Sequence, residues 1–259
     1  MSIVWLNGTL LDAATARIDP TDRGLTLGDG LFETMRVEND IAVDGARHFA
    51  RLRQGAAVLG IAVPFGDDAL FDALCMVARE NGLHQAALRL TLTRGPAPRG
   101  LLPGRGGQPT MLMTAAPLPP AAAPARVIIA RRTRRNEFSP LSRIKSLNYL
   151  DGVLARLEAA AAGADDALLL NTRGQVAEAT AANVFFRMNG RWVTPPVEDG
   201  ALPGIARAML LEAGTAEEVS LTEAALARVD AGFLTSSLGQ RPIGELLGRA
   251  LAICESLQK

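Results

Sequence analysis

Twenty-five of the 27 basic residues in this chain are arginine, and the only lysines are Lys145 and the last residue, Lys259. A sequence that uses arginine for nearly every cation and keeps one internal lysine asks for a chemical reason. An amine loses its proton when desolvated and becomes a nucleophile, whereas a guanidinium stays charged. Imine formation with a carbonyl compound is the simplest task that demands lysine over arginine. Ile144 and Leu147 flank the position and suit an apolar setting. The only tyrosine, Tyr149, follows four residues later. A helix opening beside the lysine would carry that hydroxyl about one turn away, where it could tune an imine.

Other chemistries are short of residues. The two histidines, His48 and His84, lack metal-binding spacing, and Cys75 and Cys254 form neither a CxxC pair nor a disulfide framework. No metal site is expected. Gly28-x-Gly30 lacks the third glycine of a dinucleotide fingerprint and leads into a strand, and Lys145 is preceded by Ile144 rather than by a P-loop glycine. With 27 basic and 27 acidic residues the net charge is zero, which argues against nucleic-acid and acidic-membrane binding. The run Arg131-Arg132-Thr133-Arg134-Arg135 has no interleaved aromatics. It reads as a solvated or dimer-facing segment that would also attract anionic substrates. No uncharged apolar stretch reaches the ~18 residues of a membrane span, and the start shows no signal-peptide pattern. A reducing, cytoplasmic setting is expected. At 48% hydrophobic and 21% charged, the chain can bury a sizeable core.

The elements that must position Lys145 are legible from periodicity. Ile3–Leu6 before Asn7-Gly8 reads as a strand entering a hairpin. Leu31–Val37 and Ile41–Val43 read as strands joined by Glu38-Asn39-Asp40, and Ala87–Thr93 as a half-buried strand. Ala46–Leu59, stopped by Gly60, and Asp67–Glu80 read as helices. Gly95–Gln108 is rich in glycine and proline and reads as a long loop of the functional kind, before a strand at Met111–Thr114. Pro117–Pro124 reads as an interdomain linker, giving domains at 1–116 and 126–259 around residues 117–125. Beyond it, Val127–Ala130, Ala167–Asn171, Val184–Arg187, Trp192-Val193 and Phe233-Leu234 read as strands. Leu147, Leu150, Val153, Leu154 and Leu157 mark a helix stopping near Gly163. Ile205–Glu212, Ala224–Val229 and a final segment from Pro242 to Leu257 also read as helices. Strands and helices in two halves point to α/β or α+β layers.

Several segments together carry a family resemblance. Ser142-Arg143-Ile144-Lys145-Ser146-Leu147-Asn148-Tyr149-Leu150 resembles the lysine segment of fold-type IV (class IV) pyridoxal-phosphate aminotransferases. That family includes D-amino-acid aminotransferases, branched-chain aminotransferases and 4-amino-4-deoxychorismate lyases. In the family's order follow Asp22-Arg23-Gly24 with Gly28–Thr34, His48–Leu52, Glu178-Ala179-Thr180 with Asn183-Val184-Phe185, Leu202–Arg207 and Thr235-Ser236-Ser237. Each segment alone is weak, but six in order from Trp5 to Pro242 are specific. The resemblance implies an α+β, two-domain fold: a small N-terminal α/β domain and a larger C-terminal pseudo-barrel domain that binds pyridoxal phosphate. It also implies a homodimer whose subunits complete each other's pockets.

It implies roles as well. Lys145 would hold pyridoxal phosphate as a Schiff base and move the proton at the substrate Cα. Glu178 would pair with the pyridinium nitrogen. Arg51, the N-terminal amides at Gly204, Ile205 and Ala206, and the hydroxyls of Ser236 and Ser237 would take the phosphate. Tyr149, Thr180 and Asn183 fall in the cofactor-binding segments. Phe32, Thr34, Arg36 and Arg99 would meet the substrate, the arginines by gripping carboxylate. Thr93-Arg94-Gly95 and Pro98-Arg99-Gly100 resemble the carboxylate-binding loop of D-amino-acid aminotransferases, although Leu101 stands where that group has histidine. Arg99-Gly100 and Thr34 are also similar to the lyase branch. The expected activity is a ping-pong transfer of an amino group between a small amino acid, D favoured, and a 2-oxo acid. The alternatives are aminodeoxychorismate lyase, an L-branched-chain aminotransferase and a non-catalytic pyridoxal-phosphate protein.

Overall fold

Asn7 and Gly8 close a two-residue turn between β1 (Ile3–Leu6) and β2 (Thr9–Asp12), as the Asn-Gly pair predicts. The computed structural model describes residues 2–39, 41–104 and 107–257. Asp40 of the expected strand turn, Arg105 and Gly106 of the expected 95–108 loop, and the chain-end residues Met1, Gln258 and Lys259 lie outside the described residues. The chain divides into two compact units, Met1–Pro119 with Ile144–Asn148, and Pro120–Arg143 with Tyr149–Lys259.

The first unit continues with α1 (Arg23–Leu27), β3 (Gly30–Glu38), β4 (Ile41–Ala42), α2 (Gly45–Leu59), α3 (Asp67–Glu80), β5 (Gln85–Thr93) and β6 (Thr110–Pro117). Its six strands lie in the order β2-β1-β6-β5-β3-β4 and pair antiparallel throughout. Leu31, Met35 and Val37 of β3, with Leu88, Leu90 and Leu92 of β5, face Phe49 and Leu52 of α2 and Leu70 and Leu74 of α3 in one core. The period of two then sends Phe32, Thr34 and Arg36 to the opposite face of β3. Ile144–Asn148 belongs to this unit although it follows the proline-rich stretch, because Ser146 pairs antiparallel with Leu31 and Ile144 is buried in the same core.

The second unit contains β7 (Ala125–Ile129), α4 (Leu150–Ala161), β8 (Asp166–Leu170), β9 (Val176–Ala179), β10 (Asn183–Met188), β11 (Arg191–Thr194), α5 (Ile205–Glu212), β12 (Glu217–Glu218), β13 (Ala231–Ser236), β14 (Gly239–Leu246) and β15 (Arg249–Ala250). Its curled, half-barrel sheet runs β12-β11-β10-β13-β14-β7-β8-β9, with β15 beside β14. Val127, Leu168, Val184, Phe186 and Ile243 build its main core. Both units mix helix with sheet, so the α+β fold expected from the sequence is the fold observed.

Three local expectations are corrected. Pro242–Leu257 is not a helix: β14 and β15 form a hairpin there, turned by Leu247 and Gly248, both at positive φ (53° and 77°). The sheet needs β14 to bond β13 on one side and β7 on the other, and that non-local pairing overrides the helical spacing of the apolar residues. The helix after Lys145 starts at Leu150, and Lys145 itself lies in a turn before the Ser146 bridge. Glu223–Arg228, overlapping the expected Ala224–Val229 helix, is a 3-10 helix. On α4, Ala155 and Ala159 face Ala167 and Leu169 of β8, while Leu150, Val153, Leu154 and Leu157 are exposed.

Candidate active site

Main-chain pairing places Lys145. The Phe32 N–H donates to the Lys145 carbonyl (2.9 Å) and the Leu147 N–H donates to the Gly30 carbonyl (2.9 Å). Asn148 Nδ2 donates to the Gly28 carbonyl (3.1 Å). The half-buried Lys145 thus lies against β3, its Nζ 4.5 Å from the centre of the Phe32 ring. The guanidinium carbon of Arg89 lies 3.8 Å from the centre of the same ring. Both distances are within cation–π range. Arg89 sits directly opposite Thr34 in the β3–β5 ladder. Phe32, Thr34, Arg36, Arg89 and the Lys145 amine therefore share one region of the first unit. Arg36 Nε lies 3.2 Å from Glu38 Oε1. The sequence reading passed over Arg89. Its signal was the alternation in Ala87–Thr93, which puts Arg89 and Thr91 on the polar face, but only the register of β5 on β3 shows what that face meets.

On the other face of β3, Glu33 reaches α2. Arg51 donates through Nε to Oε1 (2.8 Å) and through Nη2 to Oε2 (2.6 Å), a forked charge-assisted pair. His48, one turn earlier on α2, places Nδ1 2.7 Å from Oε2. Glu33 and His48 are each 1% exposed in their side chains. Burial pushes the Glu33 carboxyl up, but hydrogen bonds and charge from Arg51 and His48 outweigh it and hold the group below its ordinary 4.5. The orientation of Arg51 is therefore fixed by a carboxylate that the sequence reading left without a role.

In the second unit the residues converge on Leu202. Its N–H donates to Glu178 Oε2 (2.9 Å) and its carbonyl accepts from Asn183 Nδ2 (2.9 Å). Glu178, on β9, also pairs with Arg135 Nε at 3.1 Å. α5 then opens at Gly204, whose cap position makes no side-chain hydrogen bond to the first turn. A Cβ on Gly204 would stand 1.9 Å from Asn183 Oδ1, so only glycine allows this approach. Arg207 anchors the first turn to the Pro195 carbonyl (2.8 Å) and to Glu218. Thr235 lies opposite Asn183 in the β10–β13 ladder, and its buried hydroxyl has no hydrogen-bond partner among the described residues. Ser236 accepts the Leu238 N–H (3.2 Å), and Ser237 follows half-buried.

Thr180 follows β9 directly, and Tyr149 precedes α4. The Thr180 hydroxyl donates to Asp166 (2.6 Å) and accepts from Arg156 Nε (2.9 Å), tying β9 to β8 and α4. Tyr149 occupies the cap position of α4 in the second unit. Arg99 is exposed on the loop after β5.

The amino-transferase class IV family model matches residues 30–246. The chain belongs to the class IV aminotransferases. A putative branched-chain-amino-acid aminotransferase of Methanocaldococcus jannaschii is 34% identical, over 96% of this chain and 89% of that protein. A D-alanine aminotransferase of Bacillus licheniformis is 31% identical, over 92% of this chain and 85% of that protein. The crystal structure of a putative 4-amino-4-deoxychorismate lyase from Legionella pneumophila superposes with a TM-score of 0.88 at 36% identity, covering 94% of this chain and 92% of that one. The members are enzymes, and the family's cofactor is pyridoxal 5′-phosphate.

The residues present fit that cofactor. An uncapped helix N-terminus beside an unpartnered buried hydroxyl suits a phosphate, which satisfies both. Glu178 would offer a carboxylate to a protonated ring nitrogen, and Lys145 would offer the amine.

The Glu33 cluster gives a first prediction. Its folded-state carboxyl is depressed, so its stabilisation is complete above the ordinary 4.5 and is lost as pH falls through the lower folded value. Glu33→Gln should lower stability at pH 7 by about 3–5 kcal/mol, since it leaves the Arg51 guanidinium without its carboxylate. Denaturant unfolding of the two proteins should show this gap down to about pH 4.5 and a narrowing gap below it.

Proposed function

We propose that this class IV aminotransferase moves amino groups between a small amino acid and a 2-oxo acid, with D-amino acids favoured. The observation that carries the reading is the Lys145 amine and the Arg89 guanidinium gathered over one Phe32 ring. Bound pyridoxal phosphate supplies the electron sink for charge developing at the substrate Cα. Lys145 would hold the cofactor through its amine and would move the proton at the substrate Cα. Glu178 holds the pyridinium proton. Arg51, the Gly204-Ile205-Ala206 amides, Ser236 and Ser237 bind the phosphate, and we add Thr235 to that set. Arg89 and, from the loop after β5, Arg99 grip the substrate carboxylate, with Arg36 and Thr34 beside Arg89 on the same sheet face. Phe32 forms the wall against which both cations pack.

The D preference rests on the Arg99 loop and on the D-alanine aminotransferase relative. An L-branched-chain specificity has its own support in the 34% identical relative, and a lyase reading in the Legionella structure. We also infer a homodimer, since four large apolar side chains on α4 stand exposed: Leu150, Val153, Leu154 and Leu157. No described helix is long and apolar enough to cross a membrane.

The visible spectrum of the purified protein tests the activity. A yellow band that D-alanine bleaches, and that Lys145→Ala lacks, is the expected result. Bleaching by L-leucine alone would move the assignment to branched-chain substrates. A band that no amino acid bleaches, with pyruvate released from aminodeoxychorismate, would establish the lyase. A colourless protein that takes up no pyridoxal phosphate would sink the reading. Arg89→Leu should raise KM for the amino acid about tenfold or more, because a charge-assisted hydrogen bond contributes about 1.5–3 kcal/mol and 1.4 kcal/mol is tenfold. Steady-state kinetics against substrate concentration reads this directly. Leu154→Glu should shift the protein from dimer to monomer in light scattering at micromolar concentration.

A further inference from the structure

The loop after β5 carries Arg99, yet it shows little apolar anchorage of its own. Leu101 and Leu102 are 83% and 90% exposed. Its described part is held from beneath by two adjacent residues to which neither the cofactor nor the substrate reading assigns a task.

Asp22 holds the feet. Thr93 and Thr110 face each other where β5 ends and β6 begins. Both hydroxyls donate to the same oxygen, Asp22 Oδ2, at 2.9 and 2.6 Å. Asp22 Oδ1 accepts the Gly24 N–H at 2.7 Å, and the side chain is fully buried. The Thr93 hydroxyl in turn accepts the Gly95 N–H at 3.0 Å. Gly95 brings the two limbs together so closely that a Cβ there would lie 1.8 Å from the Gln108 carbonyl oxygen.

Arg23 holds the upper part. Its main-chain N–H donates to the Gly95 carbonyl at 3.0 Å. Its side chain, 6% exposed, donates through Nη1 to the Gly100 carbonyl (2.7 Å) and through Nη2 to the Leu101 carbonyl (2.9 Å). Its Nε donates to Asp29 Oδ2 at 2.8 Å. Arg94 fastens the same Asp29 and also donates to the Leu59 and Gly60 carbonyls, linking the assembly to the end of α2. One planar fork thus grips two successive carbonyls directly after Arg99, where Gly100 turns the chain at φ 134°. A lysine at position 23 would keep the charge but, as a single point donor, could not span both carbonyls and Asp29.

We infer that Asp22 and Arg23 are positioning residues: they fix the conformation of the loop and thereby place the Arg99 guanidinium for the substrate carboxylate. The inference rests on the reading that Arg99 meets that carboxylate, whichever subunit's site it serves. Arg23 touches neither substrate nor cofactor and acts through the loop backbone.

The test uses the holoenzyme and the variants Arg23→Lys, Asp29→Asn, Arg99→Gln and the double variant Arg23→Lys/Arg99→Gln. Trypsin cleavage after Arg99, followed by fragment mass, should be about tenfold faster in Arg23→Lys and about threefold faster in Asp29→Asn. KM for the amino acid should rise about tenfold in Arg23→Lys with kcat changed much less. In the Arg99→Gln background, Arg23→Lys should add no further rise in KM, which a general loss of structure would not reproduce. If Arg23→Lys does not fold, Asp29→Asn carries the same cleavage and kinetic test. Unchanged cleavage after Arg99 in the folded variants overturns the clamp. Faster cleavage together with an unaltered KM in Arg99→Gln leaves the clamp standing and overturns the carboxylate role of Arg99.

Discussion

Two main-chain hydrogen bonds, Phe32 N–H to the Lys145 carbonyl and Leu147 N–H to the Gly30 carbonyl, decide where the chain's only internal amine stands. They make the lysine segment an added strip on the edge of a β-sheet rather than part of a helix. A backbone set by a ladder is stiffer than one in a free loop. The amine then needs only its own side-chain torsions to reach its working position, which is the preorganisation that catalysis rewards. Everything on the outer face of β3 inherits its placement from the same register: Phe32 beneath the cations, Thr34 opposite Arg89, Arg36 one step further on.

Buried and half-buried carboxylates brace that sheet, and each is matched by forked or multiple donors. Glu33 takes Arg51 and His48, Asp29 takes Arg23 and Arg94, and Asp22 takes two hydroxyls and an amide. A buried ion without such partners would cost several kcal/mol. The preference for arginine follows naturally, since its planar fork satisfies two acceptors at once. In the second unit the same logic makes Leu202 a junction. Glu178 takes the N–H and Asn183 the carbonyl of this one residue, so the residue assigned to the ring nitrogen and the residue beneath the helix terminus are fixed relative to each other.

Where local periodicity decides structure, the sequence was readable. The Asn7-Gly8 hairpin, α2, α3 and β5 all have burial patterns set by neighbours within a few residues. Lys145 was legible for another reason: in a chain of arginines its composition alone marks it. Pro242–Leu257 was not legible, because its strand character comes from partners more than a hundred residues away in β7 as well as from β13. Arg89 was hidden for the same reason, since a strand's polar face has no meaning until its neighbour is known. The surroundings of Thr180 are another case. A motif places the residue, but only the fold reveals Asp166 and Arg156 bonded to its hydroxyl.

The passage of Ile144–Asn148 into the first unit also has a consequence for biosynthesis. The six strands of that unit are complete once β6 has been made, yet its last strip is separated from them by Pro120–Arg143, which belongs to the other unit. During vectorial synthesis, where domains form in order from the N-terminus, the first sheet can assemble early but must wait with one edge of β3 unfilled. The nascent chain thus leaves the slot for Lys145 open until the ribosome has begun the second unit.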